Sequence, residues 1–177
     1  MELGIVTDSL AHLPFEEMLD AVAGLGITSI ELPTGGWSSA PHLDLAGLTS
    51  DAAARDRFTG AIAERGLRIS ALNINGNQLH PVINERITAV NGLLDTQGVE
   101  RAADRAWNYV TLGLGRPGGR QFWGRLLTDL RAAGYDGVLS IEHEDVLLDA
   151  IEGVAATVAL LREVMPVAPA SWKPQDI

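Results

Sequence analysis

The sequence has 177 residues, of which 46% are hydrophobic and 20% charged, the proportions of an ordinary globular protein of one domain. Its formal net charge of −10 excludes non-specific nucleic-acid binding, which needs a basic face, and the absence of cysteine excludes disulfides and thiolate metal sites. A secretory signal and an apolar run of ~18 residues are both missing, so we expect a cytoplasmic protein that binds no membrane and no nucleic acid.

Strand and helix patterns alternate along the first part of the chain. Short β-rich runs predict strands and apolar residues at helical spacing predict helices, with Pro14 at a helix start and Gly26 at its end. The predicted elements are strands over 3–8, 28–32 and 68–74 and helices over 14–25 and 51–65. This alternation is typical of a parallel sheet with right-handed crossovers.

Regularity is lost between residues 82 and 118, and we expect that stretch to be the least regular part of the chain. It returns near the C-terminus. The predicted elements there are a helix over 119–133, a strand over 137–143 and a helix over 150–165. We therefore expect a single domain over 1–165 and a flexible tail over 166–177.

Polar side chains follow each predicted strand, where ligands bind in parallel α/β folds. In GVLSIEHE, strand alternation puts Glu142 on one face with Ser140 and leaves Ile141 and His143 on the other. Carboxylates, imidazoles and amides that converge in this way suit Mg²⁺, Mn²⁺ or Zn²⁺, or a polyhydroxylated ligand. The candidates are Asp8, His12, Glu31, Trp37, His42, Asn73, Asn77, His80, Glu142, His143 and Glu144.

Several of these candidates also have structural interpretations. His42 and His80 are interpreted equally well as loop residues without function, and His12 as a cap of the first helix. Glu144 and its neighbour Asp145 are interpreted as solvated side chains. Glu31 and Glu142 are assigned to function, because a carboxylate on a buried strand face needs a partner.

Four segments in chain order carry a resemblance to a known family: DSLAHLPFEEML, IELPTGGWSSAPHLDL, RISALNINGNQLHP and GYDGVLSIEHED. Together they resemble the sugar phosphate isomerase/epimerase family of xylose-isomerase-like TIM barrels, over residues 1–81 and about 88–165. The resemblance implies an eight-stranded (β/α) barrel, a divalent metal and proton transfer next to a sugar carbonyl.

Residue roles follow from the same resemblance. It implies that Glu142 is a metal ligand and, with Glu31, a catalytic residue. It also implies that a small sugar or sugar phosphate is bound by a set of polar and aromatic side chains. That set is Trp37, Asn73, Asn77, His80 and His12.

The chain is shorter than this family requires. A complete barrel takes ~250 residues, and the section with the other metal ligands has no counterpart here, which predicts weak binding of Mg²⁺, Mn²⁺ or Zn²⁺ and impaired activity. The predicted fold is a truncated (β/α) TIM-barrel-like α/β fold of about four parallel strands, a half barrel. The alternatives to an isomerase or epimerase are a non-catalytic sugar-binding or scaffolding module and a degenerate deletion product.

Half a barrel leaves two bare strand edges. The resemblance implies the strand order last, first, second, third, because the last strand of a closed barrel lies beside the first. A homodimer with its two-fold axis along the barrel axis would close the barrel. In the alternative arrangement, residues 82–118 with Trp107 and Tyr109 cover the open side within one chain.

Overall fold

The structure is a computed structural model, and it describes residues 1–36, 38–75, 109–114, 119–145 and 147–167. Strands and helices alternate along the described chain, as the sequence predicts. The strands are β1 Glu2–Val6, β2 Ser29–Gly36, β3 Arg68–Asn75 and β4 Val138–Ile141. The helices are α1 Phe15–Gly24, α2 Leu45–Ser50, α3 Ala52–Glu64, α4 Gly119–Ala132 and α5 Ala150–Val164, with a 3-10 helix over Thr7–Leu10.

All strand pairings in the sheet are parallel, and the strand order is β3-β2-β1-β4. The structure therefore confirms the α/β half barrel, with the last strand beside the first. Three strand ends differ from the prediction by two residues or more. β1 ends at Val6, and Asp8 belongs to the 3-10 helix that follows it. β2 extends to Gly36, and β4 ends at Ile141. The prediction also missed α2, which begins after Asp44 and buries none of its residues, so it carries no apolar periodicity.

The two faces of the sheet have different side chains. Ile5, Ile30 and Leu32 lie on one face, are fully buried, and pack against apolar residues of the flanking helices. The opposite face has small residues: a Cβ added to Gly4 would lie 2.9 Å from the Ser29 hydroxyl. Alternation along each strand separates these faces, so the side chains at every second position point toward the interior of the half barrel.

Aspartates begin two of the long helices. The Asp51 carboxylate accepts a hydrogen bond from the Ala53 amide at the start of α3, and Asp149 does so from the Ile151 and Glu152 amides at the start of α5. Among the described residues, none of the helices has the length and apolar character needed to cross a bilayer.

Candidate functional site

Polar groups from neighbouring strands meet at the carboxyl end of the half barrel. The Glu31 carboxylate on β2 accepts a hydrogen bond of 2.8 Å from the Asn73 amide on β3. Glu142 follows the last residue of β4, Ile141, which is buried, whereas Glu142 itself is exposed on the other side. The predicted alternation in GVLSIEHE is therefore confirmed, and Glu31, Asn73 and Glu142 lie at one end of the sheet.

Four carboxylates interact at this end, and we call them the acidic cluster: Glu142, Glu144, Glu31 and Asp8. Although the residue as a whole is exposed, partial removal of its carboxyl from water raises the pKa of Glu142, and the charges of the other three carboxylates raise it further. Glu142 therefore holds a proton more readily than an isolated glutamate. A carboxyl group with a raised pKa exchanges its proton at a higher pH than an ordinary glutamate does.

The 3-10 helix after β1 brings buried oxygens to the same end. The Thr7 hydroxyl oxygen and one carboxylate oxygen of Asp8 are shielded from water and have no hydrogen-bond partner among the described residues. Such atoms are costly unless something else satisfies them. Both oxygens are available to bind a ligand. The sequence indicated Asp8 as a candidate site residue, but it did not indicate Thr7.

His42 is a buried loop residue with a structural role. Its Nε2 lies 3.0 Å from the Leu13 carbonyl oxygen, an atom that only accepts, so Nε2 carries the proton. Burial lowers the pKa of His42, against the raising effects of this hydrogen bond and of the Asp8 charge. The imidazole therefore joins the loop to the start of α1 as a neutral ring.

His12 is exposed, and Pro14 is the residue at the start of α1, so the interpretation of His12 as a helix cap is wrong.

The residues after β4 are anchored from several sides. The Ser9 hydroxyl accepts a hydrogen bond of 2.9 Å from the His143 amide, and the His143 ring lies against Gly153 of α5. The ring is buried, and its Nε2 has no hydrogen-bond partner among the described residues. These contacts fix the backbone directly after Glu142.

Asp145 is buried, so its interpretation as a solvated residue is wrong. Its carboxylate accepts hydrogen bonds of 2.9 Å from the amide and the hydroxyl of Thr111 and from the Leu147 amide. The Thr111 amide is the largest contribution that lowers the pKa of Asp145. Asp145 therefore ties residues 109–114 to the end of β4. Glu144, in contrast, is exposed, as the sequence predicts.

A cavity of about 250 Å³ opens beside Glu142. It is lined by residues 142–145, by Thr157 of α5, and by Tyr109, Val110 and Leu112. Tyr109 and Val110 line this cavity, and no motif in the sequence indicated that they would. The cavity is small by the standard of ligand sites, and it is large enough for a small polar molecule.

The described residues do not fit a closed metal site. Among them, no group of three or more His, Asp or Glu side chains converges closely enough to hold an ion. The oxygens of the acidic cluster are the hard donors that Mg²⁺ and Mn²⁺ prefer, but one Glu31 oxygen already accepts from Asn73. The other predicted ligand contacts, Trp37, Asn77 and His80, lie outside the described residues.

No protein-family profile matches the chain. A stretch of 81 residues is 51% identical to the uncharacterized protein YfiH of Bacillus subtilis (strain 168), and it covers 46% of this chain. The same stretch covers 26% of YfiH, so the chain spans about a quarter of the length of this curated relative. The name of the relative states no activity, and the likeness assigns no substrate.

Proposed function

We propose that the chain is a sugar phosphate isomerase/epimerase-like protein that binds a small sugar or sugar phosphate at the carboxyl ends of its strands. Glu142 would transfer a proton at the carbon next to the sugar carbonyl. The observation that carries the proposal is the raised pKa of Glu142 inside the acidic cluster, beside a cavity. The four sequence segments that resemble the isomerase/epimerase family support the same reaction class.

The chemistry needs one group that exchanges a proton and others that hold the sugar. We assign the first role to Glu142, because its raised pKa lies closer to the working pH than that of an ordinary glutamate. Glu31 is held in place by Asn73, and its carboxylate can accept hydrogen bonds from sugar hydroxyls. The buried Thr7 hydroxyl and Asp8 oxygen can form hydrogen bonds with a ligand that they do not form with the described chain.

The family resemblance implies a divalent cation, and we propose that this chain binds it weakly. The acidic cluster has oxygen donors, but a hard cation takes ~6 ligands and the described residues bring no three of them together. We therefore derive no step through a metal. Isothermal titration with Mn²⁺ should give weak binding that Glu142→Ala abolishes, whereas tight binding that survives this substitution would put the ion elsewhere.

Nuclear magnetic resonance in D₂O tests the proposal. A panel of aldoses, ketoses and their phosphate esters is mixed with the protein and Mg²⁺, and two signals are followed: saturation transfer to the sugar and loss of the proton next to the carbonyl. We expect transfer to at least one sugar and a slow loss of that proton. Glu142→Gln should slow the loss by about 100-fold, the usual contribution of a general acid or base.

Glu17→Gln is the matched control, because Glu17 is an exposed glutamate on α1. It should change neither signal. Absence of saturation transfer to every sugar in the panel would refute the proposal. Proton exchange that is equally fast in Glu142→Gln would show that another group carries the reaction.

A non-catalytic sugar-binding module is the second candidate. It is favoured by one observation: within the described chain, no three metal-ligating side chains come together. The same experiment separates the two, because a binding module would show saturation transfer without proton exchange. The panel also tests ligand charge, since the acidic cluster repels a phosphate group and should favour the free sugar over its ester.

A further inference from the structure

The half barrel has two strand edges without a neighbour in the described chain. In the order β3-β2-β1-β4, the strands β3 and β4 each pair with one strand only. An open edge presents backbone donors and acceptors in a row and is a template for pairing with another strand. Both edge strands, β3 and β4, run parallel to the other strands of the sheet.

Apolar side chains on β3 are exposed on the face that packs against helices elsewhere in the sheet. Leu72 pairs with Leu32, and Leu32 is fully buried, yet Leu72 is 66% exposed. Ile74, two residues farther along, is 57% exposed. Large apolar side chains gathered on an open edge indicate a protein interface. We call these two side chains, with Ile69 beside them, the β3 row.

The opposite edge has a groove of the kind that would receive such side chains. It has a volume of about 380 Å³ and lies between α4 and β4, and we call it the β4 groove. Trp123, Leu126 and Leu130 of α4 form its apolar wall. In a (β/α) barrel with right-handed crossovers, a helix packs over the two strands that it connects. The helix α4 leads into β4, so it should cover β4 and the strand that precedes β4 in the barrel. The β4 groove is therefore the place where the outward side chains of a preceding strand would pack.

We propose that the β3 row of one copy fills the β4 groove of a second copy, so that two half barrels close into one barrel. With the two-fold axis along the barrel axis, β3 of each copy runs parallel to β4 of the other. Four strands from each chain then give the eight that close a barrel of this type. The contact is formed twice, as a two-fold axis requires.

The two edges match in chemistry. The β3 row is apolar and exposed, and Trp123, Leu126 and Leu130 give the β4 groove an apolar wall. A second copy is the occupant that matches both edges, because each copy carries both halves of the contact. The proposal rests on these edges and does not depend on the proposed function.

One consequence concerns the site. The two acidic clusters would face one mouth, and each copy would add carboxylates to the set that the other copy holds.

Sedimentation equilibrium of the full chain from 1 to 100 µM tests the assembly. We expect about twice the chain mass of 18.8 kDa. Leu72→Glu puts a charge into the β3 row and should raise the dissociation constant by about 100-fold or more. Leu45→Glu is the matched control: Leu45 is 51% exposed on α2 and belongs neither to the β3 row nor to the β4 groove, so the variant should remain dimeric.

Circular dichroism tests whether Leu72→Glu is folded, and we expect a folded variant because Leu72 is largely exposed in the single chain. A wild-type monomer at 100 µM would overturn the proposal and would favour cover of the open edges by another part of the same chain. A Leu72→Glu variant that remains fully dimeric would also overturn it, because the interface would then lie elsewhere.

Cross-linking tests which surfaces meet, and the chain has no cysteine of its own to interfere. Leu72→Cys and Leu126→Cys are purified separately, mixed and treated with a short bismaleimide. The mixture should give a cross-linked dimer, whereas Leu72→Cys alone should not, because the two β3 strands lie on opposite sides of the closed barrel. Strong cross-linking of Leu72→Cys to itself would instead show antiparallel β3–β3 pairing and refute barrel closure.

Discussion

Gly153 is a position where a single added methyl group should disturb the candidate site. A Cβ there would lie 2.6 Å from Nε2 and 2.7 Å from Nδ1 of the His143 ring, and closer still to the carbon between them. Atoms in good contact are ~3.5–4.0 Å apart, so the ring must move by more than ~1 Å. His143 is only 8% exposed, and its amide is held by Ser9, so it cannot move freely.

The expected cost of Gly153→Ala follows from these contacts. Overpacking of a buried site costs about 1–3 kcal/mol, and a contact this close belongs near the upper end. Alanine recovers up to about 1 kcal/mol through its helix propensity. The net loss should be about 1–2 kcal/mol, which lowers Tm by roughly 2–8 °C for a chain of this size.

The matched control is Gly60→Ala in α3, where a Cβ would meet no atom within 4 Å. This variant should gain up to about 1 kcal/mol from helix propensity alone. Urea and thermal unfolding followed by circular dichroism measure both variants. If Gly153→Ala is stabilised as much as Gly60→Ala, the packing of His143 against α5 and the reasoning built on it are refuted.

Three further predictions concern the carboxylates. Asp145→Ala leaves the Thr111 and Leu147 amides without their acceptor and should lower the free energy of unfolding by about 2–3 kcal/mol; a loss below 0.5 kcal/mol in urea unfolding would contradict this. The pKa of Asp145 is lowered from 3.8, so the contribution of its carboxylate to the free energy of unfolding is present above that value and is lost as the pH falls through its depressed pKa. The difference in free energy of unfolding between wild type and Asp145→Ala should therefore shrink in acid. A constant difference from pH 7 to pH 2 would contradict this prediction. The pKa of Glu142 is raised, so its ionisation opposes folding, and Glu142→Gln should be more stable than wild type at pH 7. This advantage should shrink as the pH falls through the raised pKa and be absent below the ordinary value of 4.5; a destabilised variant at pH 7 would show that its charge has a favourable partner.

The sequence predicted the sheet because its strands follow local rules. Alternation in GVLSIEHE predicted that Ile141 and His143 are buried and that Glu142 lies on the other face, and the structure confirms this. Helical spacing predicted the long helices to within about a residue at most ends. The strand order needed more than periodicity: it came from the family resemblance, since no local pattern tells that β4 lies beside β1.

What the sequence did not predict depends on contacts between distant residues. Asp145 accepts hydrogen bonds from Thr111, which is 34 positions away in a stretch without a regular pattern. Strand alternation could have indicated that Asp145 is buried, because Asp145 lies two residues after the buried His143. Gly153 carried another: a glycine inside an otherwise continuous helix often marks a close packing contact, here with the His143 ring.

The pKa of Glu142 tests the central claim most directly, because the proposed proton transfer depends on it. Carbon-13 labelling of the glutamate carboxyl groups allows each one to be titrated by nuclear magnetic resonance, with the Glu142 signal assigned by its loss in Glu142→Gln. We predict a titration midpoint above the ordinary value of 4.5 that shifts down in Glu31→Gln, where one neighbouring charge is removed. A midpoint at or below 4.5, unchanged by Glu31→Gln, would contradict the account.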